Sequence, residues 1–229
     1  MNEIIIDKEQ ELTIDNNILY LDIKVPKLTL NINGKVLINE FVNKSNDNLE
    51  LIININENSE LLFNRLIEIN NINTKITLNQ KSNSSVEFNN SIIAKDKGNL
   101  TILSNVSGNN NITNIRVRAI TKDKGSLSLK CTTDNKDNTK DNELLESLKI
   151  LMLNDEESII IPDLLVASNE VEVNHAATIS GINKDELFYL NSKGISTNNA
   201  KKLISEGFII NNLNIINKDK EKVRRIINV

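Results

Sequence analysis

Aromatic residues are scarce in this chain: they make up 3% of 229 residues, with two Tyr and no Trp. Enzymes that cleave polysaccharides line their clefts with aromatic faces and paired acids, so carbohydrate chemistry fits poorly. Cysteine occurs once, as Cys131, and histidine once, as His175. One cysteine makes no internal disulfide. With no Cys-x-x-Cys pair, the ligand count excludes a self-contained zinc or iron–sulfur site. No apolar run approaches the ~20 residues of a membrane span. The opening "MNEIIIDKEQ" lacks a basic segment followed by an apolar core, so no secretory signal is expected. With the lone cysteine, this points to the cytoplasm. The net charge of −4 argues against a broad nucleic-acid or membrane surface. There is no phosphate loop, no Gly-x-Ser-x-Gly elbow and no dinucleotide fingerprint.

Glycine (seven) and proline (two) are also rare, yet the chain turns often. Short runs alternate apolar and polar residues: "LTLNIN" (Leu28–Asn33), "KITLNQ" (Lys75–Gln80), "SVEFNN" (Ser85–Asn90), "NLTILS" (Asn99–Ser104), "IRVRAI" (Ile115–Ile120) and "SLSLKC" (Ser126–Cys131). Period two with β-branched residues predicts half-buried strands. Asn does most of the turning, because it tolerates the left-handed conformation and bonds its own backbone. Asn also stacks in ladders where successive coils superimpose. The pattern therefore favours a β-helix over a sandwich. No fixed-length repeat is visible, so irregular coils are expected.

After Gly181 the period changes to 3.6. Asn183 and Glu186 form a capping-box pattern for a helix over Lys184–Lys193, with Gly194 as its C′ residue. Ser196 caps a second helix, whose apolar stripe is Ala200, Leu203 and Ile204, leading to Phe208, and Gly207 is expected to close it. A third helix is expected in Asp219–Val229, carrying an exposed set of Lys and Arg on its polar face.

His175 lies between the last strand, "NEVEVN" (Asn169–Asn174), and the helices. Period two puts it on the same face as Val171 and Val173. As a ligand or proton carrier it would need partners, the nearest candidates being Glu170, Glu172 and Asp163, or groups from a second subunit. Otherwise it is a hydrogen-bonded histidine at a junction. Cys131 is in phase with Leu127 and Leu129, which places it on an apolar face as a small hydrophobe. The acids of "DNKDNTKDNE" (Asp134–Glu143) do not make a calcium loop, because Thr139 and Leu145 stand where Gly and Glu are needed. "ELFYL" places Leu187, Phe188, Tyr189 and Leu190 in succession, more than one helix face can bury, which is an interface pattern.

The stretch "PDLLVASNEVEVNHAATISGINKDELFYLNSKGISTNNAKKLISEGFI" (Pro162–Ile209) resembles the C-terminal core of the SufB/SufD family. The resemblance lies in the Pro before the last strands, "HAAT", "ELFYL", the "SKGIS" turn, the Ala in the second helix and the closing Gly-Phe. Residues 100–161 fit more loosely, and 1–99 match in style. The resemblance implies a mainly β protein: a right-handed parallel β-helix core (1–180) with a small C-terminal helical segment (181–229). It implies a non-catalytic subunit of the SUF machinery that assembles iron–sulfur clusters. Such a subunit pairs as a homodimer or a SufB/SufD-type heterodimer. It binds a SufC-like ABC ATPase through its helices, here Leu187, Phe188, Tyr189, Leu190, Gly194, Ile195, Ala200, Ile204 and Phe208. No cofactor is expected to be held tightly by this chain alone; a cluster would be transient, at a subunit interface. "HAAT" is similar to SufD, and His175 is the one family functional residue that carries over. Two others do not: SufB-type chains have Glu where Ala176 stands and Cys where ungapped counting places Ser147. Cys131 lies too far upstream to replace that Cys by simple alignment.

Overall fold

The computed structural model describes residues 3–227, with side chains at 4–43 and 48–227. Its strands are β1 (Glu3–Ile6), β2 (Gln10–Asp15), β3 (Ile18–Ile23), β4 (Lys27–Asn33), β5 (Lys35–Asp47), β6 (Glu50–Ile55), β7 (Glu60–Gln80), β8 (Ser85–Ala94), β9 (Lys97–Val106), β10 (Ile112–Thr121), β11 (Ser126–Asn135), β12 (Asn142–Met152), β13 (Ile159–Val166) and β14 (Val171–Gly181). Three helices follow: α1 (Lys184–Ser192), α2 (Thr197–Ile210) and α3 (Asn217–Ile226).

Pairing defines the architecture. One face runs β1-β3-β5-β7-β8-β10-β12-β14, and the other links β2, β4, β6, the second half of β7, β9, β11 and β13. The ladders are parallel throughout, for example β10 on β12 and β11 on β13. The chain is therefore a parallel β-helix of about six turns. The short runs seen in the sequence are parts of longer strands, because β7 continues around a corner and serves both faces.

Stacking explains the Asn content. Asn54 donates to Asn31, Asn79 to Asn54 and Asn105 to Asn79, at 2.8–2.9 Å, forming an outer ladder. A second ladder runs from Asn89 through Asn64 to Asn39. The left-handed turn positions are also mostly Asn: Asn16, Asn58, Asn83, Asn110 and Asn138 have φ of 41–61°. Asn takes the role that Gly has in most turns.

Alternation divides the apolar residues into two cores. Residues pointing inward fill the lumen, as in the column Leu19, Ile38, Phe63, Phe88 and Ile115. Phe63 and Phe88 meet edge to face at 5.5 Å, an orientation that ring quadrupoles favour. The second core lies outside the coil. Tyr20, Phe41, Leu66, Ile93, Ile120 and Leu151 project outward from the first face and are covered by Ile209, Leu213, Val223, Ile226 and Ile227. The C-terminal segment is thus a strap across the coils. Polar clips fix it: Asn64 and Asn214 exchange hydrogen bonds, Asn212 donates to Asn90 O, and Tyr20 Oη donates to Asp219 at 2.9 Å.

The caps fall where expected. Asn183 accepts from Asp185 N and Glu186 N, Ser196 accepts from Asn199 N, and Gly194 has φ 84°. Several boundaries differ: β14 runs on to Gly181 and so contains His175, which was expected to follow the last strand, and α1 stops at Ser192, one residue before the expected Lys193. Gly207 does not close α2, which runs on to Ile210, because Ile209 is buried in the outer core and tertiary packing outweighs the glycine's preference. The third helix begins at Asn217, before the expected Asp219, and residues 228–229 lie outside the described residues.

Candidate functional site

The lumen changes character toward its C-terminal end. On the first face, the apolar column through Phe63, Phe88 and Ile115 continues to Glu146 on β12 and then to His175 on β14. On the second face, Leu30, Ile53 and Leu78 give way to Ser104 and Thr133. A buried carboxylate thus occupies the last covered rung of a column that is otherwise hydrocarbon.

Glu146 is 2% exposed and accepts a 2.5 Å hydrogen bond from Thr133 Oγ1. Its Oε2 is buried without a hydrogen-bonding partner. Burial pushes its pKa up, as does the charge of Asp163, against the lowering effects of Thr133, Cys131 and His175. Cys131 is fully buried across the lumen, with its thiol directed at this carboxylate. Burial first, then the Glu146 charge, holds the thiol well above its usual pKa, so it rests protonated. Cys131 therefore packs as a small apolar group, as its phase implied. Cys131 lies too far upstream to replace the family cysteine by simple alignment, yet the coils bring both Cys131 and His175 to Glu146.

His175 faces the lumen side with Val171 and Val173, but nothing covers it, because β14 belongs to the terminal coil and the side chain is exposed. Ser147 and Ala176 pair with each other one position along, so alternation turns both outward. Ser147 accepts from Arg118 through Oγ at 3.0 Å and through its carbonyl at 2.7 Å. Of the acids considered near His175, Asp163 interacts electrostatically with Glu146, Glu170 pairs with Lys140 at 3.3 Å, and Glu172 stacks on Glu143. Among the described residues, no three His, Cys, Asp or Glu side chains converge to hold a metal ion.

The terminal coil also leaves Ile159, Ile161, Leu165 and Val166 of β13 and Ile179 of β14 exposed, between 37% and 57%. The helical hairpin adds a second uncovered surface. No residue of α1 is buried, and Phe188 and Tyr189 are 75% and 58% exposed. Leu187, Leu190, Ile195 and Ile204 are half-buried and Gly194 is exposed. Ala200 is fully buried and Phe208 packs against the strap's own core, so both face inward. Leu203, at 49% exposure, joins the outward set.

The profile of the SUF system FeS cluster assembly SufBD core domain matches residues 54–208. This is more than half of the chain and includes β7–β14, α1 and most of α2. The chain belongs to the SufBD family. A Pyrococcus horikoshii protein described as an iron-sulfur cluster assembly SufBD family protein is 44% identical over 48 residues, 21% of this chain and 11% of the relative. A Synechocystis protein with the same description is 38% identical over 47 residues, 20% of this chain and 10% of the relative. Each match spans about a tenth of the relative's own length. The SufBD profile ends at residue 208, so Ile209, Leu213 and α3, which cover the outer core, lie beyond it. No described helix is long and apolar enough to cross a membrane.

Glu146 escaped sequence reasoning. In "ELLESLKILML" it is one of two acids in an alternating strand, and nothing local marks which points inward. The signal is the break in the column, which becomes visible only when rungs of unequal length are aligned.

Proposed function

We propose that this SufBD chain is a non-catalytic subunit of a SUF-type complex in the cytoplasm, and that iron–sulfur clusters are its cargo. The carrying observation is that the chain leaves two apolar surfaces uncovered, one of them on the terminal coil that holds His175, the one family residue it retains. The terminal coil presents unpaired edges of β13 and β14 beside His175, a surface suited to a second β-helix subunit. The α1–α2 hairpin presents Phe188, Tyr189 and Leu203, a surface suited to a SufC-like ABC ATPase. His175 then acts across the subunit interface as an iron ligand or proton-carrying group, completed by residues of the second subunit. The second reading, a β-helix adaptor that binds the ATPase without handling clusters, is favoured by Ser147 and Ala176 standing in place of Cys and Glu.

Co-expression with the SufC-like ATPase of the same genome tests the docking. Co-purification is expected, with loss in Leu187→Asp and Tyr189→Asp; no association would refute the complex. His175→Ala then separates the two readings. Lost cluster delivery supports the first reading, and undiminished delivery leaves the adaptor.

A further inference from the structure

We propose that Glu146 is the positioning residue for His175: its free carboxylate oxygen accepts one imidazole N–H, which turns the other ring nitrogen toward the open end of the coil. This deepens the proposed function and rests on His175 being the group that works there. Three observations carry it.

The first is the column. Leu19, Ile38, Phe63, Phe88 and Ile115 precede Glu146, so a hydrocarbon side chain fits every earlier rung. Replacing it with a carboxylate is costly in an apolar column. A local rule broken in this way is typical of a functional position.

The second is the unequal use of the two oxygens. Oε1 is taken by Thr133, whereas Oε2 has no partner although it is buried. A buried unpaired acceptor calls for a donor. Along the column the rung below is Ile115, which offers none, and the rung above is His175; across the lumen the protonated Cys131 thiol also meets the carboxylate, but as a weak donor that leaves Oε2 unpaired. Adjacent rungs are ~4.8 Å apart, within reach of an imidazole N–H by side-chain rotation.

The third is support. Thr133 fixes the carboxylate from the opposite face, and the Cys131 thiol abuts it. Asp163 is the other charged group that acts on it. Working histidines commonly give their second N–H to a carboxylate that is itself held.

The chain has a single histidine, so ring-15N NMR reports on this residue alone. At a pH of about 8.5, roughly two units above the free imidazole pKa, the wild-type ring should show one protonated and one bare nitrogen. Glu146→Leu follows the column's own pattern, and it should collapse the two signals toward the averaged values of free imidazole. Glu146→Gln keeps an acceptor and should retain the separation. Averaged nitrogens in the wild type would overturn the proposal, and this result needs no variant to fold. Ring signals unchanged in Glu146→Leu would also overturn it. Neither result depends on cluster delivery, so the positioning role and the cluster role can fail separately.

Discussion

The middle coils and the terminal coil are built from the same alternating strands, yet they differ in what faces inward and in what covers them. In the middle, Phe63, Phe88, Ile53 and Leu78 are fully buried between neighbouring rungs, and the strap seals the outer face. At the end, β13 and β14 have a neighbour on one side only, and the lumen carries Thr133, Glu146 and His175. Each coil of a solenoid contacts only its neighbours, so a polar end weakens the last rungs and leaves the rest intact. The rungs that carry most of the stability and the end proposed for function therefore lie at different points along one axis.

Substitutions can break or sharpen this contrast. Phe63→Ala in the middle lumen should cost about 3–5 kcal/mol by urea unfolding, through lost transfer free energy and a cavity. Arg65 and Glu40 form a fully buried ion pair at 2.6 Å within this apolar region. Arg65→Met alone removes the guanidinium from this buried carboxylate and should cost about 3–5 kcal/mol, whereas the Glu40→Leu/Arg65→Met double variant should recover most of it. A double variant as unstable as the single would mean that hydrocarbon cannot replace this pair.

The strap should respond less. Tyr20→Phe leaves Asp219 without its donor and should cost about 1–3 kcal/mol, seen first as faster hydrogen exchange in α3. The same contact has a pH signature. Burial, and then Asp219, push the Tyr20 pKa from its ordinary 10.0 up to about 12. The raised pKa means that Tyr20 contributes fully below pH 10 and loses its contribution as pH rises toward 12. Tyr20→Phe should therefore flatten the stability loss across that window. The smallest effect is expected in the terminal coil, where Ile161→Ala, at a 45%-exposed site, should change stability by less than about 1 kcal/mol. A larger loss would show that the end coil is covered in solution, by a second subunit for instance, and the effect would then depend on protein concentration.

Much of this fold was legible in the sequence. Alternation marked the strands, the abundance of Asn pointed to stacked coils, and Asn183, Ser196 and Gly194 marked helix ends. The face of His175 followed from Val171 and Val173. Register was not legible. Asn39, Asn64 and Asn89 recur at a separation of 25, but Arg116 follows Asn89 in the same column after 27, and Ser147 follows Arg116 after 31. Unequal corners hide the columns, and with them the convergence of Cys131, Glu146 and His175. The strap was missed for a related reason. Its helices read as an appendage with no stated seat, because the outward face they cover, from Tyr20 to Leu151, is spread over most of the chain.

The Tyr20–Asp219 bond joins residues 199 positions apart. In mechanical terms it closes residues 20–219 into a ring, so a pull on the two ends passes through the strap before the coils between them can peel. The strap can seat only after the rungs beneath it exist. It therefore acts as a late latch: load reaches the enclosed coils only once the strap's clips, the tyrosine–aspartate clasp among them, have opened.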